Sequence, residues 1–228
     1  LVVKQTGKTT LAGVRYMVLN LFGSGLFLLG VVMLYGFSGH LLMVPLRETI
    51  SVLTLDPQTL PSLVFAIGVL TIGLAIKSGL FPFHSWMPDT YGWATPTTAS
   101  LMSSVVSKAY IFLLIKVYWR VIGIDLFEQM PIGQILFFLG IAGAIIGSVY
   151  AIKATDLNRM VAYSSAAQIG YIFMSLGIGG TAGYAAAIFH LIGHSLTKSL
   201  LFLVTPRLQE VSGGSLRFKD LMGSAQRD

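Results

Sequence analysis

The sequence predicts an all-α fold: a polytopic transmembrane bundle of about six helices, one of them broken. Three observations carry this expectation. Of the 228 residues, 54% are hydrophobic and only 11% are charged, against roughly 25% in an ordinary soluble domain. Six apolar runs, near residues 15–37, 62–83, 97–119, 133–152, 160–178 and 184–205, approach the roughly 20 residues that a helix needs to cross about 30 Å of hydrocarbon. Lipid offers no partner to free backbone groups, so runs this long and continuous are helices rather than barrel strands.

The elements follow in order. The first run, 15–37, is too long for a signal peptide and is preceded by the polar stretch KQTGKTT. The chain opens on Leu1 rather than Met, which suggests a fragment of a longer subunit. In the second run, KSGLFPFHSW sets Gly79 and Pro82 just beyond Lys77. Proline removes a backbone donor and clashes with the preceding turn, so this helix is expected to kink or break. Broken helices at membrane depth are tolerated where they line a cavity or lie within protein. The third run carries Lys108 near its middle, in SSVVSKAYIFLL, and ends in Lys116, Tyr118, Trp119 and Arg120, the composition of an interfacial anchor belt. The fourth, QILFFLGIAGAIIGSVYAI, has no charged residue and spaces Gly143 and Gly147 for close helix approach. The loop KATDLNR offers Thr155 or Asp156 as a cap for the fifth run. The sixth contains HLIGHSLTK, which lines up His190, His194 and Lys198 at intervals of four.

Charge orients the bundle. Lys4, Lys8, Arg15, Lys153, Arg159, Arg207, Arg217, Lys219 and Arg227 fall on one side; Arg47, Lys116 and Arg120 fall on the other. The excess of positive charge places both termini in the cytoplasm, with segments 1–14 and 206–228 outside a transmembrane core of 15–205. The net charge of +6 therefore reflects loops rather than a nucleic-acid surface. Without cysteine, the chain has no disulfide, thiolate zinc site or Cys-ligated iron–sulfur cluster, and no cofactor or redox centre is expected in it.

The remaining basic residues, Lys77, Lys108 and Lys198, lie inside apolar runs. A lysine at the bilayer centre costs roughly 2.5 to 3.5 kcal/mol even on a lenient scale, so each needs a reason. Lys108 is too far from either helix end to snorkel. Every carboxylate, Glu48, Asp56, Asp89, Asp125, Glu128, Asp156, Glu210, Asp220 and Asp228, is read as loop, turn or tail. Either the lysines exchange protons readily in their desolvated setting, or a carboxylate comes from another segment or subunit. Both outcomes suit a proton carrier. The stripe from His190 to Lys198 runs about 12 Å along one helical face, a spacing that suits relay through side chains and waters. Its HxxxH spacing also matches two metal ligands on one helix, but no third ligand is evident and a lysine follows one turn later, so no metal site is assigned. His40 and His84 are read as interfacial. A secondary transporter of an organic solute, or a structural subunit with an idle polar path, would fit the same broken helix.

Three segments resemble a known family: AIKSGLFPFHSWMPDTYGWATPTTASLMSSVVSKAYIFLL, AIKATDLNRMVAYSSAAQIGYIFMSLG and AAIFHLIGHSLTKSLLFL. In this order they resemble the antiporter-like membrane subunits of respiratory complex I (NADH:quinone oxidoreductase) and of Mrp-type multisubunit cation/proton antiporters, with relatives in membrane-bound hydrogenases. The resemblance implies a hydrated polar axis along the membrane midplane, built here from Lys77, Lys108, His190, His194 and Lys198. It also implies other membrane subunits, the lipid bilayer, protons and possibly Na⁺ as partners. Residues RYMVLNLFGSGLFLLGVVMLYGFSG are similar to the quinone-proximal subunit of complex I or to the D-type antiporter subunit. Where the family writes DLKR this chain has DLNR, with Asn158. The resemblance further implies a glutamate on a preceding helix, paired to Lys77, and another lysine on a later broken helix, neither of them in this chain.

Overall fold

The computed structural model describes residues 7–223; Lys4, Arg227 and Asp228, with the side chain of Lys8, lie outside the described residues. Helices account for nearly all of what is described: α1 (Gly7–Ser38), α2 (Met43–Leu53), α3 (Leu60–Ser78), α4 (Trp86–Trp93), α5 (Pro96–Leu101), α6 (Ser107–Val117), α7 (Ile124–Gln129), α8 (Pro131–Lys153), α9 (Leu157–Ile178), α10 (Gly180–Val211) and α11 (Phe218–Leu221). Six spans are long and apolar enough to cross a membrane, the second running from Leu60 to Trp93 and the third from Pro96 to Ile122. The protein is a multi-pass helical membrane bundle, as its composition predicts.

The second crossing is broken where expected. α3 ends at Gly79, whose left-handed conformation (φ 83°) closes the helix. A side chain there would also collide with the sulfur of Met87. The Phe81–Pro82 peptide is cis, a single turn follows at Phe83–Ser85, and α4 resumes the crossing. The crossing therefore extends ten residues past the predicted end at 83, because the break spends chain length without gaining height. This corrects one reading: Asp89 is not a loop residue but lies in α4, where it accepts a 2.7 Å hydrogen bond from Arg15 of α1. His84 sits in the break, its ring 5.5 Å from that of Phe81.

Other boundaries differ for physical reasons. α1 begins at Gly7 rather than 15, since the hydropathy of a run marks what faces hydrocarbon and not where a helix stops; Thr9 and Ala12 are already buried. α10 runs past 205 to Val211, straight through Pro206. Proline there forfeits the bond to the Phe202 carbonyl, and the Thr205 hydroxyl donates to that oxygen instead, at 2.8 Å. Glu48, Asp125, Glu128 and Glu210, read as loop residues, lie on α2, α7 and the end of α10. Tyr118 is not part of an anchor belt: a π-helical turn at Tyr118–Ile122 rolls it inward, where its hydroxyl meets Thr71 at 2.7 Å.

Glycine sets the helix spacing. A Cβ at Gly140, Gly147, Gly170 or Gly177 would fall 2.5–2.6 Å from a backbone nitrogen of the facing helix, so α8 and α9 pack with their backbones nearly touching. Gly147 belongs to this contact. Gly143 instead receives Phe81 from the break, whose Cβ would lie 3.2 Å from a Cβ at that position. Asp156 caps α9 as expected, accepting from the Arg159 amide at 2.9 Å.

Replacing Gly170 by Val is expected to overpack the α8–α9 contact by roughly 1–3 kcal/mol or more and to lower the thermal stability and yield of the full-length protein. Gly193→Ala, where a Cβ meets nothing within 4 Å, is expected to leave both unchanged. Thermal unfolding of the two purified variants decides.

Candidate functional site

The three intramembrane lysines stand on α3, α6 and α10, and all of them end on uncharged oxygen. Among the described residues the ion pairs join Arg15 to Asp89, Arg159 to Asp156 and Arg207 to Glu210, and none reaches a lysine.

Lys77 occupies the last turn of α3, just before the break. Its ammonium donates to the Ser24 hydroxyl of α1 at 2.6 Å and lies 4.6 Å from the ring centre of Tyr110 on α6. Its stem passes Gly23, where a Cβ would come within 2.9 Å of Lys77 Cγ, so that glycine makes room for the lysine.

Lys108, only 3% exposed, follows a π-helical turn at Met102–Val106 between α5 and α6. π-helical turns loosen the main-chain ladder, and the Lys108 ammonium turns back to donate to the Ser103 carbonyl. Tyr91 of α4, fully buried, steadies the same turn: its hydroxyl lies 2.9 Å from Ser107 Oγ and 3.4 Å from the Met102 carbonyl, to which Ser107 Oγ donates at 3.2 Å. α10 is pinned to it from the other side, where Ser195 donates to the Ser104 carbonyl and Ser100 donates to the Ser199 carbonyl.

Lys198, 4% exposed, donates to Ser164 Oγ and, at 3.3 Å, to the Val161 carbonyl, both on α9. That carbonyl also accepts from Ser165 Oγ at 2.8 Å, and Ser165 Oγ lies 3.4 Å from Ser103 Oγ. Polar atoms therefore lie in succession from Lys108 on the Ser103 carbonyl to the hydroxyls of Ser103 and Ser165, the Val161 carbonyl and Lys198, across three helices inside an apolar bundle.

The histidines continue the line along α10. His194 is 5% exposed, with neither ring nitrogen paired within the protein, and His190, half-buried, has its ring centre 6.3 Å away. His190 packs edge-on against Tyr171. Both border a cleft of about 330 Å³, with Gln168, Thr197 and Lys198, that opens on the outer side of α10 beside Phe189. The structure thus gathers His190, His194 and Lys198 on one cleft, with the polar atoms from Lys108 reaching Lys198 across α9. Lys77 stands apart, at the break with Gly79 and Pro82, linked to α6 through Tyr110 two residues from Lys108.

Sequence reasoning passed over the hydroxyls. The Ser24 and Ser164 hydroxyls bond Lys77 and Lys198, and Tyr91, Ser103, Ser107 and Ser165 shape the surroundings of Lys108; for the serines near Lys108 and Lys198 the signal was present as SSVVSK and YSS inside otherwise apolar runs.

Comparison with known proteins bears on this arrangement. Residues 1–222 match the family described as NADH:quinone oxidoreductase/Mrp antiporter, transmembrane. The chain belongs to this family. Among curated relatives, NADH-quinone oxidoreductase subunit N of Desulforudis audaxviator is 32% identical over 220 residues, covering 96% of this chain and 43% of that protein. Subunit N of Herminiimonas arsenicoxydans is 34% identical, covering 95% of this chain and 44% of that one. Chloroplastic NAD(P)H-quinone oxidoreductase subunit 5 of Chaetosphaeridium globosum is 36% identical, over 77% of this chain and 25% of its own length. The chain thus spans less than half the length of these antiporter-family relatives. Among solved structures, the archaeal membrane-bound sulfane sulfur reductase superposes with a TM-score of 0.81 at 25% identity, over 96% of this chain and 43% of that one. The Mrp complex from Dietzia sp. DQ12-45-1b does so at 0.80 and 24%, over 93% and 38%, a likeness of fold.

Because Lys108 meets a carbonyl rather than a carboxylate, its charge weakens the fold. Replacing it by Met frees a desolvation cost of several kcal/mol and leaves one carbonyl short of a donor, worth roughly 1–3 kcal/mol. The expected result for Lys108→Met in the full-length protein is an unchanged or higher Tm; a clear fall would mean that the ammonium is a net structural tie.

Proposed function

We propose that the chain is the proton-translocating part of a membrane subunit in a complex I-like NADH:quinone oxidoreductase or an Mrp-type cation/proton antiporter. The observation that carries this reading is the line from Lys108 through Ser103 and Ser165 to Lys198, built across three helices and without a carboxylate. Membership of a family whose relatives are subunits of respiratory and Mrp complexes supports it.

The steps follow from the groups present. A lysine held by neutral oxygens in a low-dielectric setting has no ion pair to break when it releases a proton. Serine hydroxyls both donate and accept, so Ser103 Oγ and Ser165 Oγ pass a proton between them; a carbonyl only accepts, so water completes both the step from Lys108, which meets the Ser103 carbonyl, and the step past Val161. The cleft beside His190 and His194 gives such water a way in. Lys77 acts as the modulating charge: seated at the break and facing Tyr110, it alters the field at Lys108 when its own partner moves. In this reading both termini are cytoplasmic, other membrane subunits complete the path, Na⁺ is the coupled ion in the antiporter case, and partner subunits handle electrons.

The test uses the full-length parent in its own complex, in inverted vesicles with a pH-sensitive dye. Na⁺ is added to pre-energised vesicles, and NADH to de-energised ones, each with and without Lys108→Ala or Lys77→Ala. Loss of flux with normal assembly in both variants is expected. Loss of the Na⁺ response identifies an antiporter and loss of the NADH response a redox-driven pump; wild-type flux in both variants returns the axis to a structural role.

A further inference from the structure

A second cavity lies away from the polar line, between α3 and α8. We propose that it holds one acyl chain of a membrane lipid, laid against the helix break. The slot has a volume of about 110 Å³ and is bordered by Gly68 and Ile72 of α3, by Leu80 and Phe83 of the break, and by Ile135 and Leu139 of α8. It exists because Gly68 lacks a side chain: a Cβ there meets nothing within 4 Å, whereas one at Gly73, further along the same helix, would run into the α1 backbone. α8 leans on α9, and Phe81 of the break bears on Gly143, where a Cβ would lie 3.2 Å from its own, while α3 and α8 make little direct contact along the slot.

The chemistry selects the guest. The one polar group on the lining is the Thr71 hydroxyl, and it is already engaged, donating to the Ile67 carbonyl at 2.7 Å and meeting Tyr118 OH at 2.7 Å. A buried water needs two to four polar partners and finds at most the one spare lone pair of Thr71, so the slot suits an apolar occupant. Its size argues against a drug-like or headgroup-bearing ligand, whose pockets run to roughly 300–1,000 Å³. Its rim points to the source: Ile72 and Ile135 are 45% and 54% exposed and continue into Phe65 and Phe138, at 62% and 67%, on an apolar face of two spans long and apolar enough to cross a membrane. A methylene chain entering from that surface gains dispersion contacts on both walls that a vacant slot forfeits. Its inner contacts are Leu80 and Phe83, so the chain packs on the residues that shape the break.

The full-length parent in its complex, placed in nanodiscs with phosphatidylethanolamine bearing a diazirine midway along one acyl chain, tests this. Irradiation and peptide mapping are expected to place adducts on peptides covering Gly68–Phe83 and Ile132–Leu139, several-fold above a single-span reference helix in the same disc. A diazirine on the headgroup is expected to leave those peptides at the reference level. Gly68→Leu, which fills the slot, is expected to remove the excess labelling. Mid-chain labelling at or below the reference, as when another protein helix covers the slot, overturns the proposal; so does equal labelling by the headgroup probe, a comparison that needs no variant, or labelling that persists in an assembled Gly68→Leu complex.

Discussion

An ammonium group buried in hydrocarbon must find oxygen, and in this chain the oxygen comes from main-chain carbonyls and hydroxyls. The rest of the bundle is arranged around that requirement. Lys108 reaches the Ser103 carbonyl because α5 and α6 are joined by a π-helical turn, and the turn is held by Tyr91 from one side and by Ser195 from the other. Lys198 reaches Val161 and Ser164 only because α9 is fixed in place, and α9 is fixed by glycines that bring its backbone against that of α8. Close packing far from the lysines thus decides whether the lysines are satisfied.

The broken helix obeys the same logic. A continuous helix would carry Lys77 into the bilayer with its carbonyls already spent. Ending α3 at Gly79 places the lysine in a last turn, between a hydroxyl on α1 and an aromatic face on α6, and lets the chain bend under Met87 before the crossing resumes. Gly23 completes the fit by leaving space for the lysine stem. The lysines of three crossings in this way all end on uncharged oxygen.

Much of this was legible in the sequence, for reasons that differ by residue. Hydropathy marked six crossings because lipid enforces length and continuity; it placed their ends poorly because helices continue beyond the hydrocarbon, as α1 and α10 do. Gly79 and Pro82 announced the break, but the residues it consumes could not be counted, so Asp89 was assigned to a loop rather than to α4. The lysines and histidines stood out because charge is costly in an apolar run. Their serine partners did not, since a serine in a membrane helix usually bonds its own backbone, and several here do so as well. Nothing in SSVVSK distinguishes a π-helical turn from regular helix, although the turn is what frees Lys108 to bend back.

The central claim is that Lys108 works by exchanging its proton, and Lys108→Arg tests it most directly. Arginine keeps the positive charge and can donate to the Ser103 carbonyl, but it does not release its proton in a protein. Proton flux would be measured in inverted vesicles carrying the assembled full-length complex with this substitution. The account predicts that flux is lost while the complex remains intact; flux near the wild-type rate would contradict it, because a fixed charge would then suffice.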